Sequence, residues 1–468
     1  MLPGCLNMAE TPPPTAPDPT RRRLRGNYLP AIENLAQSIG TMGPVATIGT
    51  VLPLLIYKSA NGTWLLLLVV AAVFCLISSS INVFACRFAS AGSLSAYVDA
   101  GLGPWWGSLT GWSYAIAMVF VVASSGVSCA FYLALMLGHF LHHAIGMPVM
   151  VLLTVLVVIL AWWPAHRDVM LSTKIMLAAE ASSVLLIVYI LGRAMVRADL
   201  WVDRAQLHLE GVGFPQFQLG FVLAFLTLSG FESMTTLGEE AKAATKTLPR
   251  VMFLCVLPVG ILFVVSIYCL IALSHGRNLA LDQADAPIDV IAQSLGLPTL
   301  GWLSSLGIAV SCFSCAVGGY NAGSRVLYSM ARSGQMWRYF DAIHPRNGTP
   351  HRALALLASV SIVVPVVMLG TGVRMADAMD YLLQISTFGF LGGYLAVCIA
   401  APLYLWGKSE LTAGRIVIAV LTVATLAAVF FMSLVPVPDP PWRYLPYVFA
   451  GLLVGGMIVS GSQRKRPP

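Results

Sequence analysis

Charged side chains are scarce in this sequence: Asp, Glu, Lys and Arg together supply 10% of its 468 residues. Soluble domains carry about 25% charged residues, so this scarcity excludes an ordinary soluble globular protein. The sequence is instead 58% hydrophobic, and its mean hydropathy is +0.81. We therefore expect most of the chain to lie in lipid.

Residue patterns for metal binding or covalent chemistry are also missing. The nine cysteines lie almost entirely within apolar runs, where cysteine packs as a small hydrophobic residue. Cys312 and Cys315 have the Cys-x-x-Cys spacing, but they fall in a predicted membrane helix and are interpreted as packing residues. His139, His142 and His143 have no carboxylate nearby, and the sequence contains neither a His-Glu-x-x-His motif nor a catalytic triad. We predict no metal, no cofactor and no enzymatic activity.

Long apolar runs are what the sequence has in abundance. Windows of about 20 apolar residues, the length that crosses a bilayer, occur twelve times. The third and eighth runs are longer than a bilayer requires, so we expect these helices to tilt or to extend beyond it. The predicted fold class is an all-α integral membrane protein with twelve transmembrane helices. The predicted spans are 31–57, 63–86, 104–138, 147–163, 169–195, 216–240, 248–273, 297–331, 352–370, 376–404, 412–434 and 442–462.

Basic residues are unevenly divided between the two sides that these spans define. With the N-terminus inside, twenty of the 27 Lys and Arg residues fall on the inner side and seven on the outer side. This positive-inside bias predicts a plasma (inner) membrane protein with both termini in the cytoplasm. The net charge of +7 then serves topology and contact with membrane lipid, not nucleic acid. Residues 1–30, rich in Pro and Arg, are predicted to be a disordered cytoplasmic tail.

Two of the predicted spans are interrupted near their middle. Span 1 contains Ile39-Gly-Thr-Met-Gly-Pro44, and span 6 contains Leu228-Ser-Gly-Phe-Glu232. Glycine and proline beside hydroxyl residues let a membrane helix break, since the hydroxyls take up freed backbone groups. A carboxylate at mid-membrane costs about 2.5 to 3.5 kcal/mol unless it faces a cavity or a partner. Two helices broken at matching positions indicate a transporter's binding site, although simple packing kinks at Gly43-Pro44 and Gly230 are the alternative.

Two short polar segments suggest an internal repeat. Residues 92–101 follow span 2, and residues 278–295 follow span 7. We expect both to be non-spanning helices, on opposite sides of the membrane. Because each follows the second helix of its half, the core of residues 31–404 is predicted to contain two inverted halves, 31–195 and 216–404. Residues 405–468 would form helices 11 and 12 outside the repeat, with a cytoplasmic C-terminus.

The segment at and after the break in span 6 resembles the sixth-helix motif of the amino acid–polyamine–organocation (APC) superfamily. Stretches in spans 1, 8 and 9 are similar to that family in the same order, and the resemblance covers residues 27 to about 405. The matching stretches are Ile39–Pro44, Gly230–Ser233, Gly238–Lys242, Leu248–Arg250, Tyr320–Tyr328 and Gly348–Arg352. The resemblance implies a leucine-transporter-like fold of five plus five helices with two extra C-terminal helices. It also implies secondary transport of amino acids or amines.

The two breaks are predicted to hold the two poles of a zwitterionic amino acid. Free N–H groups at the start of a second helix half attract a carboxylate, and free carbonyls at the end of a first half attract an ammonium. Side-chain selectivity is expected from cavity-facing residues in spans 3, 6, 8 and 10, which are mostly small and neutral. The predicted substrate-binding residues are Ile39, Gly40, Thr41, Met42, Gly43, Ser125, Phe225, Leu228, Ser229, Gly230, Phe231, Cys315 and Ser386.

Two carboxylates, Glu232 and Glu180, are the predicted proton-coupling residues. The resemblance links the position of Glu232 to proton sensing and to holding helices near the site, so a static hydrogen-bonded strut is the alternative. Some proton-coupled relatives carry a lysine midway along helix 5. This chain has Ser183 near that place, and its membrane-embedded charge is Glu180.

The sequence departs from the family at two further places. Helix 1 has Gly40-Thr-Met-Gly43 where many members have Gly-Ser-Gly, and Leu226 stands where some exchangers place a gating tryptophan. Phe231 is a candidate substitute lid or a packing residue. The expected function is amino acid transport by alternating access, as proton symport or exchange. An amine or polyamine permease and a substrate sensor on a transporter scaffold are the alternatives.

Overall fold

Long apolar helices form nearly all of the regular structure in the computed structural model. The structure describes residues 23–143, 145–277, 279, 281, 284–435 and 440–464. Within those residues every regular element is a helix, apart from one isolated backbone bridge. Twelve segments are long and apolar enough to cross a membrane, which confirms the predicted fold class.

The spans keep the predicted order, with shifts of a few residues at their ends. Spans 1 and 6 are each made of two pieces: Ala31–Met42 with Pro44–Ser59, and Phe214–Leu226 with the 3-10 turn Phe231–Leu237. The other helices, in the order of spans 2 to 5 and 7 to 12, are Thr63–Ala85, Pro104–Leu141, Met147–Arg167, Val169–Ala198, Ala244–Arg277, Pro298–Arg332, His351–Gly370, Met375–Gly407, Ala413–Met432 and Leu445–Arg464.

Local sequence explains where several spans begin. Proline is the first residue of both long helices, spans 3 and 8, where its missing N–H has no helical partner to lose. Span 5 starts after Asp168, whose carboxylate accepts a hydrogen bond from the Met170 N–H at 2.9 Å. Span 3 has 38 residues, or about 57 Å at 1.5 Å per residue. That length exceeds a hydrocarbon core of about 30 Å, as expected from the sequence.

Short helices follow the second span of each half. Leu94–Leu102 comes after span 2, and Pro287–Ser294 comes after span 7. Of the second predicted segment, residues 278, 280, 282 and 283 lie outside the described part of the chain. The matching positions of the two short helices, and of the two broken spans, fit the inverted repeat.

Burial separates an inner layer of spans from an outer layer. The most apolar window of span 6 is 89% buried within the protein, whereas that of span 11 is 22% buried. Spans 1 and 3 are also mostly buried, whereas at most a third of the most apolar window is buried in spans 4, 5, 9 and 12. A helix that exposes large apolar side chains on most of its surface faces lipid. The two broken helices therefore lie inside a ring of lipid-facing helices.

The N-terminal boundary needs a correction. Residues 23–30, assigned to the disordered tail from composition, lie within the described part of the chain, and Leu29 is fully buried. The Leu29 N–H donates to the Glu240 carbonyl at 3.0 Å, and the Leu29 carbonyl accepts from the Lys242 N–H at 2.8 Å. Composition misled here because these backbone partners lie more than 200 residues away. Residues 1–22 lie outside the described part of the chain.

A buried ion pair fixes this N-terminal segment to span 8. Arg325 Nε lies 2.5 Å from Glu240 Oε2, and both side chains are 1% exposed. Arg325 Nη1 also donates to the Asn321 carbonyl at 2.9 Å, and the Tyr28 hydroxyl donates to Glu240 Oε1 at 3.4 Å. Because Glu240 bonds the N-terminal segment through both its backbone and its side chain, the pair ties residues 28–29 to spans 6 and 8.

Removing one partner of this pair should destabilise the protein strongly. Arg325→Gln would leave the Glu240 carboxylate buried without its cation, which costs about 3–5 kcal/mol. The measurement is thermal unfolding in detergent, where the melting temperature should fall sharply. The double variant Arg325→Gln/Glu240→Gln should recover much of that loss, since it leaves no unpaired charge.

Arg374→Gln is the matched control, because Arg374 pairs with Asp377 at 2.8 Å in an exposed position. That variant should melt like the unmodified protein. If Arg325→Gln melted like Arg374→Gln, the buried pair would not be a structural tie.

Candidate functional site

Span 1 is broken at Gly43. The first half ends at Met42, Gly43 adopts φ 53° and ψ 66°, and the second half begins at Pro44. Glycine adopts this left-handed conformation without a steric cost, and proline has no N–H to continue the helical ladder. The Gly43 N–H donates back to the Ile39 carbonyl at 3.0 Å, which closes the first half. The predicted break in span 1 is confirmed.

Span 6 is broken at Gly230. Its helix ends at Leu226, and a 3-10 turn begins at Phe231. Gly230 has φ 94°, and a Cβ atom there would lie 3.0 Å from Cγ2 of Thr41. The breaks of the two spans are therefore in direct contact, which sequence spacing alone did not show.

Hydroxyl groups connect the two broken spans. Ser38 in span 1 donates to the Phe231 carbonyl at 2.5 Å and accepts from the Met234 N–H at 3.1 Å. Ser233 in span 6 donates to the Thr41 hydroxyl at 3.0 Å. The two bonds of Ser38 satisfy backbone groups of the 3-10 turn, and the Ser233 bond joins the side chains of the two spans. The two breaks thus form one polar site inside an apolar bundle.

Span 8 supplies partners for the freed backbone groups of span 1. The Cys315 thiol donates to the Thr41 carbonyl at 2.9 Å. The Ser311 hydroxyl accepts from the Ala46 N–H at 2.9 Å, in the first turn of the second half. Span 8 therefore contacts both sides of the break, the carbonyl end and the N–H end.

Glu180 of span 5 adjoins the contact between Ser311 and the second half of span 1. The Ser311 hydroxyl donates to Glu180 Oε1 at 2.7 Å, so one serine joins the carboxylate to the N–H end of the second half of span 1. Glu180 is buried, and its carboxylate also adjoins the backbone N–H of Val45, in the first turn of the second half of span 1. The hydroxyl of Ser314, one turn further along span 8, makes no hydrogen bond to the residues that the structure describes. The predicted membrane-embedded charge is thus located at the break.

Glu232 lies on the other side of the site, facing span 10. The Tyr394 hydroxyl donates to Glu232 Oε2 and accepts from the Gly230 N–H at 3.0 Å. Glu232 and Tyr394 are both fully buried. The Tyr114 hydroxyl of span 3 also adjoins the Glu232 carboxylate. Tyr394 therefore joins the carboxylate and the broken backbone of span 6 in one contact.

Phe225 and Phe231 are packed into an aromatic cluster with Phe74 of span 2 and Tyr394 of span 10. The ring centroid of Phe74 lies 4.9 Å from that of Phe225 and 5.5 Å from that of Phe231. Both predicted site residues are fully buried, and such ring pairs stabilise packing by about 0.5–1.5 kcal/mol beyond burial. In this conformation neither ring is a free lid.

The remaining predicted site residues divide into two groups. Gly40, Met42 and Leu228 are buried at the breaks themselves, and the Ser229 hydroxyl donates to the Phe225 carbonyl at 3.2 Å. Ser386 is fully buried, but its hydroxyl donates to the Leu383 carbonyl of its own helix at 2.9 Å. Among the residues that the structure describes, no hydrogen bond joins the Ser386 side chain to the breaks.

Residues outside the predicted set complete the site. Gln37 donates to the Gly318 carbonyl at 2.9 Å and accepts from Asn321 at 3.0 Å, and Asn321 also donates to Ser172 at 2.9 Å. These amides join spans 1, 5 and 8 next to the break. Buried amides in membrane helices are rare and need partners, so their presence in apolar runs was a usable signal.

Spans 1 and 6 are broken at corresponding positions and contact each other, and spans 3, 5, 8 and 10 surround them. This arrangement defines a secondary transporter of the broken-helix class. The family model for amino acid permeases matches residues 34–460. The chain belongs to this family, within the APC superfamily, and it is a multi-pass membrane transporter.

Similar proteins include other transporters. An uncharacterised transporter of Mycobacterium tuberculosis is 28% identical over 84% of this chain and 82% of its own length. A branched-chain amino acid permease of Bacillus subtilis is 23% identical over 85% of each chain. A D-serine/D-alanine/glycine transporter of Escherichia coli is 23% identical over 79% of this chain and 78% of its own.

A side chain at Gly230 should disrupt the contact between the breaks. Gly230→Ala places a Cβ atom 3.0 Å from Thr41 Cγ2 on a backbone with φ 94°, a conformation that costs an L-residue about 1–2 kcal/mol. We expect a lower melting temperature and a large loss of transport in proteoliposomes.

Gly192→Ala is the control, because no atom outside its own helix would lie within 4 Å of the new Cβ in span 5. That variant should keep both stability and transport. Equal behaviour of the two variants would show that the contact between the breaks is not required.

Proposed function

We propose that this transporter moves a neutral amino acid across the plasma membrane by alternating access, with both termini in the cytoplasm. The observation that carries this proposal is the contact between the breaks of spans 1 and 6. Together the breaks present N–H and carbonyl ends to one place, as a zwitterion requires. The uneven division of Lys and Arg supports the orientation. The names of two relatives, a branched-chain amino acid permease and a D-serine/D-alanine/glycine transporter, support neutral substrates.

The chemistry around the breaks also favours a neutral substrate. The two carboxylates there are each engaged, Glu180 by Ser311 and Glu232 by Tyr394. The other polar groups nearby, at Thr41, Ser125 and Cys315, are small and uncharged. Ser125 adjoins the Cys315 thiol, so spans 3 and 8 meet beside the break. A site of this kind selects by size more than by charge.

We assign proton coupling to Glu180 before Glu232. A substrate carboxylate bound at the N–H end of span 1 would lie close to Glu180, and two negative charges at that distance repel each other. A proton on Glu180 removes the repulsion, so proton and substrate would bind together, as symport requires. Glu232 instead bonds to Tyr394 in an aromatic environment, which suits a structural strut.

Neutralising each carboxylate separates these roles. Glu180→Gln should abolish the stimulation of uptake by an inward pH gradient in proteoliposomes, while substrate counterflow remains. Glu232→Gln should lower both gradient-driven uptake and counterflow, because it weakens the Tyr394 contact. The pH dependence of uptake should stay unchanged. Labelled leucine and alanine are suitable substrates for the measurement.

Retained gradient stimulation in Glu180→Gln would rule out coupling through this residue. Adding a protonophore to the unmodified protein is the control, since exchange needs no pH gradient and symport does.

One observation favours an amine carrier as the second candidate. A substrate carboxylate would bind at the N–H groups that begin the second half of span 1, but Ser311 already accepts a hydrogen bond from one of them, the Ala46 N–H. An ionised Glu180 beside Ser311 would attract a cation. A substrate with an amine and no carboxylate would then bind more readily than an amino acid.

Thermal-shift measurements distinguish the two candidates. A ligand at 100 times its Kd stabilises the folded protein by about 2.7 kcal/mol. We expect neutral amino acids such as leucine and alanine to raise the melting temperature, and the matching amines, isopentylamine and ethylamine, to leave it unchanged. The reverse result would support the amine carrier. Binding without counterflow would indicate a sensor.

A further inference from the structure

The segment between spans 8 and 9 forms a groove of about 590 Å³ on the surface, far along the chain from the breaks. Two arginines, Arg338 and Arg352, line it together with Tyr339 and Asp341. The groove thus carries an excess of one positive charge. On the topology proposed above, this surface faces the cytoplasm.

The two arginines have unused hydrogen-bonding capacity. Arg352 lies 4.2 Å from the centroid of the Tyr339 ring, and its Nη1 donates to the Tyr339 carbonyl at 3.3 Å. This contact fixes the guanidinium and uses one of its five N–H donors. The side chain of Arg338 is exposed and has no ion pair or hydrogen bond to the described residues. A fixed guanidinium beside a free one suits an acceptor with several oxygens.

Exposed aromatic rings of the kind expected at the level of lipid headgroups lie at the groove. Trp337 is 44% exposed and Tyr339 is 60% exposed, and Trp and Tyr are enriched where a membrane protein meets the interface. A second pair of the same kind lies at the end of span 4, where Arg167 is 5.5 Å from the Trp163 ring centroid. Both spans that flank this surface, 4 and 9, bury at most a third of their most apolar window within the protein, as helices that face lipid do.

The two arginine–aromatic pairs belong to one surface. Asn347 and Thr349, which precede span 9, donate to the His166 carbonyl at the end of span 4 at 3.0 and 2.8 Å. These bonds hold the segment between spans 8 and 9 against span 4. The groove is therefore continuous with the second arginine–aromatic pair, at the end of span 4.

We propose that this groove binds the headgroup of an anionic phospholipid of the cytoplasmic leaflet, with Arg338 and Arg352 contacting its phosphate. Guanidinium groups bind phosphate through paired hydrogen bonds, and basic pockets at the inner membrane surface bind anionic headgroups. A soluble phosphate would share these contacts. It would not explain why the groove lies among exposed aromatic rings at the edge of lipid-facing helices.

The experiment uses the full-length protein, freed of lipid, in mixed micelles with phosphatidylglycerol or phosphatidylcholine of the same acyl chains. Native mass spectrometry counts the bound lipids. We expect one phosphatidylglycerol to bind saturably and more tightly than phosphatidylcholine. Each arginine near an anionic headgroup accounts for about a fivefold gain in affinity. Arg338→Gln/Arg352→Gln should therefore weaken phosphatidylglycerol binding about thirtyfold and leave phosphatidylcholine binding unchanged.

Arg204→Gln/Arg443→Gln is the matched control, because it removes the same charge from the opposite face. It also includes a similar stacked pair, Arg443 at 4.8 Å from the Tyr444 ring centroid. That variant should bind phosphatidylglycerol normally. The single variant Arg338→Gln, which changes an exposed side chain, should weaken binding about fivefold even if the double variant folds poorly.

Three results would overturn the proposal. Equal affinity for the two lipids would show that headgroup charge does not matter. An equal loss of phosphatidylglycerol affinity in the control variant would show that this groove is not the binding site. Displacement of phosphatidylglycerol by inorganic phosphate at similar concentrations would assign the groove to a soluble anion instead of a lipid. None of these measurements depends on transport, so their outcome is independent of the function proposed above.

Discussion

Backbone N–H and carbonyl groups inside a membrane must find partners within the protein, because no water reaches them in hydrocarbon. The two broken spans free such groups at the centre of this structure. At span 1 the partners are Ser311 and Cys315 of span 8. At span 6 they are Ser38 of span 1 and Tyr394 of span 10. The positions of spans 8 and 10 beside the breaks follow from this requirement.

Side-chain partners differ from a helical ladder in one respect that matters for transport. A hydroxyl can exchange its hydrogen bond for one to a bound molecule, and the rest of the helix keeps its own bonds. Ser38, Ser233 and Ser311 therefore provide hydrogen bonds at the two breaks that can be exchanged when a substrate binds. On the proposed mechanism, substrate groups replace some of these contacts when they bind. The ladder-bonded helices on either side then move as rigid pieces.

Much of this arrangement could be predicted from local sequence. Gly43-Pro44 and Gly230 were recognisable because only certain residues tolerate a break in an apolar helix, and the twelve spans followed from length and hydropathy. Long-range contacts carry no such signal. The Tyr394 hydroxyl accepts a hydrogen bond from the Gly230 N–H, 164 residues away in the sequence. No periodicity marks that pairing. Leu29 was assigned to a tail for the same reason, since its partners lie in the segment after span 6.

The two buried carboxylates show why the role of a charged residue depends on its contacts and not on its depth alone. Glu180 of span 5 and Glu232 of span 6 are both buried, and each accepts a hydrogen bond from a hydroxyl, Ser311 for Glu180 and Tyr394 for Glu232. The hydroxyl that binds Glu180 also caps the N–H end of a helix, where the positive end of the helix dipole favours an anion. The hydroxyl that binds Glu232 belongs to a tyrosine packed among phenylalanines. A change of charge at Glu180 therefore alters the attraction of the break for a substrate carboxylate. A change at Glu232 alters the packing of spans 6 and 10.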